Sequence, residues 1–226
     1  MGVNNILFHS DTFTIDRGIV IDLCKKIVEA KLPLRWTCNG RVETVDAEML
    51  NWMKRAGCFM IAYGLESGSQ KVLDAVQKGF TIAQSEAAVR LTKASGIKVW
   101  GYFVVGLPGE NASTVKETID FAKRLPIDYV NFSVGAPYPG TTFHKQAKEN
   151  NWLTSENWEE FDQNYSAIVD YPDFSHTDIE QAVANCYRQW YLRPRVIARL
   201  IFDKNNWSNL WTLVRVGWLH LFWQPK

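Results

Sequence analysis

A repeated strand–turn–helix pattern is the feature of this sequence that most constrains its fold. Short β-branched or aromatic runs end in polar, glycine-rich turns, and amphipathic helical patterns lie between them. Strands that alternate with helices pair in parallel through right-handed crossovers. The sequence therefore predicts an α/β fold, with strands apolar on both faces. The predicted strands are 5–9, 34–38, 59–63, 99–105 and 129–134.

The number of βα units leaves two architectures open. About five units are visible, fewer than the eight of a closed barrel. An open doubly wound sheet and a partial barrel both fit this count, and periodicity alone does not separate them. Helical spacing of apolar residues predicts the helices. They span 19–28, 46–56, 69–77, 81–94, 113–125, 143–150 and 175–190. Asp16, Thr81 and Ser113 stand at N-cap positions.

Charge and cysteine usage exclude several classes of protein. The net charge of +1 gives no strong field for nucleic acid or anionic lipid. No apolar run is long enough for a membrane helix, and the first residues lack a signal-peptide pattern, so we expect a cytoplasmic protein. The four cysteines form no CxxC pair, and buried thiols are favoured over a ligand role. They are Cys24, Cys38, Cys58 and Cys186.

Polar segments follow all the predicted strands. They are 10–13, 39–41, 64–69, 106–110 and 136–141. In parallel βα folds the carboxyl ends of the strands meet at one edge, so we expect one cavity there. Carboxylates, an arginine and hydroxyls at such an edge suit a zwitterion or a ribose diol. The residues expected to line this cavity are Asp11, Asn39, Arg41, Glu66 and Ser67.

Each of these residues also has a purely structural interpretation. Asp11 can cap the next helix. Glu66, directly after an apolar strand, needs a partner if it is ionised, and a bridge to Arg41 supplies one. The segment 106–109 can be a tight turn, and it is neither a Walker A loop nor a dinucleotide fingerprint. The ordered occurrence of the segments is more specific than any one of them.

Taken together, these segments resemble the radical S-adenosylmethionine (radical SAM) enzymes. The likeness is strongest to the cobalamin-binding subgroup related to anaerobic magnesium-protoporphyrin monomethyl ester cyclase, and it covers about residues 3–195. It implies a partial TIM-like (βα) barrel, of which this chain supplies strands 2–6 in residues 1–150. A mostly helical extension, 151–226, would follow. The matching stretches are FHSDTFT (8–14), WTCNGR (36–41), YGLESGS (63–69), GYFVVGLPGE (101–110) and the segment 131–141.

The resemblance also implies cofactors and the residues that bind one of them. Members of the family bind S-adenosylmethionine and a [4Fe–4S] cluster, and the subgroup also binds cobalamin through a separate domain. Reductive cleavage of S-adenosylmethionine yields a 5′-deoxyadenosyl radical. By this resemblance, the segment 10–12 would approach the amino group of S-adenosylmethionine. Arg41, Glu66 and Ser67 would reach its carboxylate and ribose. The adenine would contact the segments 104–109 and 136–138. The predicted cofactor-binding residues are Ser10, Asp11, Thr12, Asn39, Arg41, Glu66, Ser67, Val104, Gly106, Pro108, Ala136, Pro137 and Tyr138.

One departure from the family pattern is large. The sequence contains no CxxxCxxC cluster motif and begins at what resembles the second barrel strand. We therefore expect an N-terminally truncated or split radical SAM enzyme, inactive alone and completed by a missing N-terminal half. The alternative is a non-catalytic barrel that binds S-adenosylmethionine or a nucleoside without a cluster. A third hypothesis, an unrelated enzyme for phosphorylated substrates, lacks a lysine or glycine nest at the strand ends.

The substrate and the last part of the chain are less constrained. The subgroup acts on many small organic molecules, including apolar ones, so we expect a small-molecule substrate and no nucleic acid. The segment 207–223 is rich in tryptophan and partly amphipathic. Packing on the barrel is favoured for it over a lipophilic substrate site or a membrane surface. No catalytic residue and no metal ligand is assigned from the sequence.

Overall fold

The computed structural model describes residues 4–157, 159, 161 and 167–202. The strands are β1 (Asn5–Phe8), β2 (Arg35–Gly40), β3 (Cys58–Glu66), β4 (Lys98–Val105) and β5 (Tyr129–Val134). The helices are α1 (Arg17–Glu29), α2 (Ala47–Arg55), α3 (Gln70–Ala75), α4 (Ile82–Ala94), α5 (Ala112–Arg124), α6 (Thr142–Glu149), α7 (His176–Tyr191) and α8 (Pro194–Phe202). The tryptophan-rich segment 207–223 lies outside the described residues.

The strands form one five-stranded sheet in chain order, β1-β2-β3-β4-β5. The pairs β1–β2, β2–β3 and β3–β4 are parallel, with Asn5 opposite Arg35 and Met60 opposite Lys98. A doubly wound sheet reverses its strand order at a switch point, and this sheet does not. Within the described residues the sheet is also not closed. The order therefore selects the partial barrel from the two architectures that periodicity left open.

The chain divides into two compact units. The first contains the described residues up to Glu66 together with Gln77–Phe103 and Arg124–Asn131. The second contains Ser67–Val76, Val104–Lys123 and the described residues from Phe132 onward. A domain boundary near residue 150 stays a prediction. In the described ranges, no helix is long and apolar enough to cross a membrane.

Burial alternates along β2, β4 and β5, so one face of the sheet is more deeply buried than the other in these strands. In β4, Val99 and Phe103 are fully buried, whereas Trp100 is half-buried and Tyr102 is exposed. Strand β5 shows the same period of two. The prediction that the strands are apolar on both faces is wrong for β5, whose half-buried face carries Tyr129, Asn131 and Ser133.

Most of the predicted helix starts are confirmed, and one is corrected. Asp16 accepts a hydrogen bond from the backbone of Ile19, and Thr81 forms a capping box at the start of α4. Ser113 is not the cap of α5. The side chain of Asn111 accepts from the backbone N–H of Ser113 and of the next residue, at 2.9 and 3.2 Å. Asn is as good a cap as Ser, which explains why the sequence pattern placed the start two residues late.

Candidate functional site

The first unit contains a cavity of about 230 Å³ at the carboxyl ends of β1 to β3 and beside the exposed face of β4. Acidic and basic side chains both line it, as the polar segments predicted. Five of the residues that line it belong to the predicted cofactor-binding set: Asp11, Thr12, Asn39, Arg41 and Glu66. Six others do not: Gly40, Ala62, Gly64, Lys78, Phe80 and Tyr102.

An aromatic cluster fixes the loop that carries Asp11 and Thr12. The loop runs from Phe8 to Phe13, whose ring centroids lie 4.9 Å apart. Both rings pack against Trp36 of β2, which is fully buried and donates from Nε1 to a backbone carbonyl at 2.8 Å. Because the rings at both ends of the loop pack against the buried Trp36, the short segment between them has little freedom to leave the cavity.

A buried threonine holds the end of β2 against the same loop. Thr14 Oγ1 accepts a hydrogen bond from the backbone N–H of Arg41 at 3.1 Å and lies 2.6 Å from Thr44 Oγ1. A Cβ at Gly40 would come within 3.1 Å of Thr14 Oγ1. Because Gly40 has no Cβ, the end of β2 can lie close to Thr14, and the hydrogen bond from Arg41 to Thr14 then directs Arg41 toward the cavity.

The end of β3 presents Glu66 to the cavity in an unusual conformation. Its φ is +59°, in the left-handed region, and the register with β4 shifts between Gly64 and Glu66. Such a bulge re-aims a side chain at the end of a strand. The carboxylate lies over Gly64, where a Cβ would be only 2.6 Å from Oε1. Non-glycine residues adopt this conformation at a cost, and they concentrate at functional sites.

Lys78, rather than Arg41, is the ionic partner of Glu66. Lys78 Nζ donates to Glu66 Oε1 at 2.6 Å, and the Glu66 side chain is largely buried. Arg41 instead donates to Glu43 at 2.5 Å and to the Lys78 backbone carbonyl at 3.2 Å. The bridge between Glu66 and Arg41 that the sequence left open is therefore wrong. Guanidinium has five N–H donors, so Arg41 retains capacity for a ligand.

Sequence reasoning did not find Lys78, Phe80 or Tyr102. Lys78 lies in the connection from α3 to α4, where Gly79 has a φ of +78°. A glycine in a polar connection indicates a turn, but not that the turn leads back to the strand ends. Tyr102 had a readable signal, since Trp100 and Tyr102 alternate with small or apolar residues along β4. Burial raises the pKa of the Tyr102 phenol above its ordinary value.

Two other predicted residues have different surroundings. The backbone carbonyl of Ser10 accepts a hydrogen bond from Asn39 Nδ2 at 3.4 Å, which links the first two strand ends. Ser67 belongs to the second unit and is fully buried, 3.0 Å from Thr118 Oγ1. Its hydroxyl also accepts from the backbone N–H of Ser69 at 3.1 Å. Ser67 therefore shapes the turn into α3.

The remaining predicted residues also belong to the second unit: Val104, Gly106, Pro108, Ala136, Pro137 and Tyr138. Glu110 organises the turn there, because its Oε2 accepts from the backbone N–H of Gly106 and Leu107 at 2.5 and 3.3 Å. Burial raises the pKa of Glu110 to about 8, although these two N–H groups oppose the shift. The hydroxyl of Tyr171 donates to the Gly106 carbonyl at 2.9 Å. The turn is thus held from both sides.

The cysteines do not fit an iron–sulfur cluster. All four are buried and free, as predicted. Burial raises the pKa of Cys24 and of Cys186 to about 12 and that of Cys58 well above its ordinary value. Cluster ligands are thiolates, so these thiols are poor candidates. Among the described residues, no group of three or more His, Cys, Asp or Glu side chains is placed to hold a metal ion.

Comparison with known proteins agrees with the resemblance. A family model described as the radical SAM superfamily matches residues 1–122. The uncharacterized methyltransferase PH0819 of Pyrococcus horikoshii is 35% identical over 205 residues, 91% of this chain and 44% of that protein. The anaerobic magnesium-protoporphyrin IX monomethyl ester cyclase of Cereibacter sphaeroides is 28% identical over 197 residues, 85% of this chain and 32% of that protein. The chain spans less than half the length of each relative.

Solved structures share the fold. The radical S-adenosylmethionine methyltransferase TsrM of Kitasatospora setae, solved with cobalamin and a [4Fe–4S] cluster bound, matches with a TM-score of 0.61 and 21% identity. The match covers 86% of this chain and 36% of that one. Coproporphyrinogen III oxidase (HemN) of Escherichia coli, a radical SAM enzyme, matches with a TM-score of 0.62 and 14% identity, over 87% of this chain and 45% of that one. At these identities the likeness concerns the fold alone, and it confirms the predicted partial barrel.

Proposed function

Because this chain belongs to the radical SAM superfamily, we propose that it is the part of a radical SAM enzyme that binds S-adenosylmethionine. The cavity of the first unit is the observation that carries the proposal. It brings two carboxylates, a guanidinium and an ammonium to the ends of parallel strands, and S-adenosylmethionine has matching groups of both signs. A site for a neutral ligand would not need four charged side chains.

The charges in the cavity suggest an orientation for the ligand. Glu66 is anchored by Lys78 and largely buried, which suits an acceptor for the two ribose hydroxyls. Arg41 and Lys78 are the donors for the methionyl carboxylate, and Asp11 is the acceptor for the ammonium group. The volume of about 230 Å³ is below the roughly 300–1,000 Å³ of typical ligand pockets, so it suits the methionyl and ribose groups only. Contact of adenine with Val104, Gly106, Pro108 and the segment 136–138 stays a proposal.

We further propose that the [4Fe–4S] ligands come from polypeptide outside these 226 residues, which makes this chain inactive alone. No cluster motif occurs in the sequence, and the buried cysteines do not fit one. In the described part of the chain, β1 stands at the end of the sheet order, and Leu7, Ile15 and Ile19 near it are 61–68% exposed. An edge strand with exposed apolar neighbours favours an additional strand there.

The reaction class is proposed from the relatives. They include methyltransferases and a cyclase, and TsrM was solved with cobalamin, so we propose methylation or cyclisation of a small organic molecule in a cobalamin-associated enzyme. Location in the cytoplasm stays a prediction, as does the absence of a nucleic-acid partner. The non-catalytic barrel remains the alternative hypothesis, without an observation in its favour.

Equilibrium dialysis with radiolabelled S-adenosylmethionine tests the binding proposal. The folded 226-residue chain should bind one equivalent, and Glu66→Gln should weaken binding roughly 10-fold or more, because a charged acceptor becomes neutral. Glu29→Gln, on α1 outside the cavity, is the matched control and should bind as the unmodified chain does. Equal affinity of the Glu66→Gln variant would remove Glu66 from the site, and no binding at all would overturn the proposal.

A further inference from the structure

Three aromatic side chains form a row on the half-exposed face of the sheet in the first unit. The row consists of Tyr129 on β5 and Trp100 and Tyr102 on β4. The Trp100 centroid lies 5.8 Å from that of Tyr102, with 24° between the ring planes, and 5.8 Å from that of Tyr129, with 46° between them. The row therefore ends at Tyr102, which also lines the cavity proposed for S-adenosylmethionine.

Packing within the protein does not account for this row. Tyr102 is 36% exposed, although its neighbours along β4, Gly101 and Phe103, are buried. Trp100 Nε1 is buried and has no hydrogen-bond partner in the described part of the chain. An unpaired buried donor is unfavourable, and a phenylalanine at this position would not carry one. Tyr102, the ring at the end of the row, stays exposed beside the polar cavity.

We propose that the aromatic row binds a planar conjugated ring of the substrate, which stacks on the exposed ring of Tyr102. This inference rests on the proposed function and names the substrate class of that site. Aromatic rings favour offset stacking with centroids about 4.5–7 Å apart, so a flat ligand on Tyr102 continues the series from Trp100. Saturated molecules of the same size lack the flat π surface that this arrangement rewards.

The position of the row fits chemistry at the substrate ring. Tyr102 and Glu66 line one cavity, and Glu66 lies opposite Phe103, the residue after Tyr102, in the β3–β4 register. A ring that stacks on Tyr102 is therefore held beside the proposed ribose acceptor. Tyr102 is a specificity-determining residue in this arrangement, and Trp100 is stacked against it.

Binding of a planar probe and of its non-planar reduced form tests the inference. Protoporphyrin IX is titrated anaerobically into the 226-residue chain and compared with protoporphyrinogen IX. The reduced form has the same substituents, but methylene bridges separate its four pyrrole rings, so it lacks the extended planar conjugated macrocycle. The planar form should bind at least about 10-fold more tightly. Equal affinity for both forms would overturn the inference without any variant having to fold.

Variants locate the binding of the planar probe. Tyr102→Phe keeps the ring and should change the affinity for protoporphyrin IX less than 2-fold, whereas Tyr102→Leu should weaken it about 10-fold. The matched control is Trp52→Leu, which removes a half-buried tryptophan on α2 outside the row. A loss with Trp52→Leu equal to that with Tyr102→Leu would overturn the assignment.

Binding of S-adenosylmethionine separates this inference from the proposed function. Parallel dialysis of the unmodified chain with S-adenosylmethionine tests the proposed function directly. A chain that binds S-adenosylmethionine but does not prefer the planar probe refutes the aromatic row alone. A chain that prefers the planar probe but does not bind S-adenosylmethionine refutes the proposed function, on which the role of the row depends.

Discussion

Replacement of Gly64 by alanine should weaken binding of S-adenosylmethionine without unfolding the protein. The added Cβ would lie 2.6 Å from Glu66 Oε1 and 3.5 Å from its Cδ, with no other atom within 4 Å. Only the end of a flexible side chain has to move, by roughly 0.8 Å to reach an ordinary contact. That movement separates the carboxylate from Lys78 Nζ, now 2.6 Å away, and from the ribose position proposed above.

The expected loss follows from the strength of the displaced contact. A hydrogen bond to a charged group contributes about 1.5–3 kcal/mol, so the dissociation constant should rise roughly 10- to 150-fold. Isothermal titration with S-adenosylmethionine measures the constant, and urea unfolding verifies that stability is retained. Gly18→Ala, within α1 and with 3.4 Å to its nearest neighbour, is the matched control. Unchanged affinity in Gly64→Ala, when Glu66→Gln binds weakly, would refute the steric reasoning.

Three predictions concern stability. Gly57→Ala should destabilise the fold by at least about 3 kcal/mol in urea unfolding, because φ is +93° and the new Cβ would lie 1.9 Å from a backbone oxygen. Gly79→Ala has a φ of +78° but open space around the new Cβ, so it should cost about 1 kcal/mol. Equal losses in the two variants would contradict the clash at Gly57. Asn111→Ala should cost about 0.5–2 kcal/mol and Ser113→Ala almost nothing, whereas the reverse order would restore Ser113 as the cap. In the folded state the pKa of Glu110 is about 8, above the ordinary value of 4.5. The contribution of the protonated Glu110 to the free energy of unfolding is therefore full below pH 4.5 and is lost as the pH rises to about 8. Glu110→Gln should remove that part of the pH dependence, and identical pH profiles of the two proteins would contradict the raised pKa.

The sequence predicted the fold well because strand–helix alternation is a strong local signal. All five strands and the main helices lie where periodicity placed them, within a few residues. Periodicity did not give the sheet order, because order depends on which strands pair in space. The start of α5 was misplaced for a local reason, since Asn111 and Ser113 are both good caps two residues apart.

The site was only partly predictable from the sequence. Strand-end position was enough to find Asp11, Arg41 and Glu66, because parallel strands bring their carboxyl ends together. Lys78 could not be found this way, since it reaches the cavity from a connection between two helices. The ionic partner of Glu66 depends on the direction of side chains, which the left-handed conformation of Glu66 changes. Such a conformation leaves no mark in the sequence of a non-glycine residue.

A crystal structure of this chain with S-adenosylmethionine bound shows most directly whether the cavity of the first unit is its binding site. We predict that the ribose hydroxyls contact the Glu66 carboxylate and that the methionyl carboxylate lies within hydrogen-bond distance of Arg41 or Lys78. In the bound structure the Glu66 carboxylate should lie between the Gly64 backbone and the ligand. The register shift at the end of β3 should be preserved. Density for the ligand outside this cavity, or a ribose with no contact to Glu66, would contradict the account.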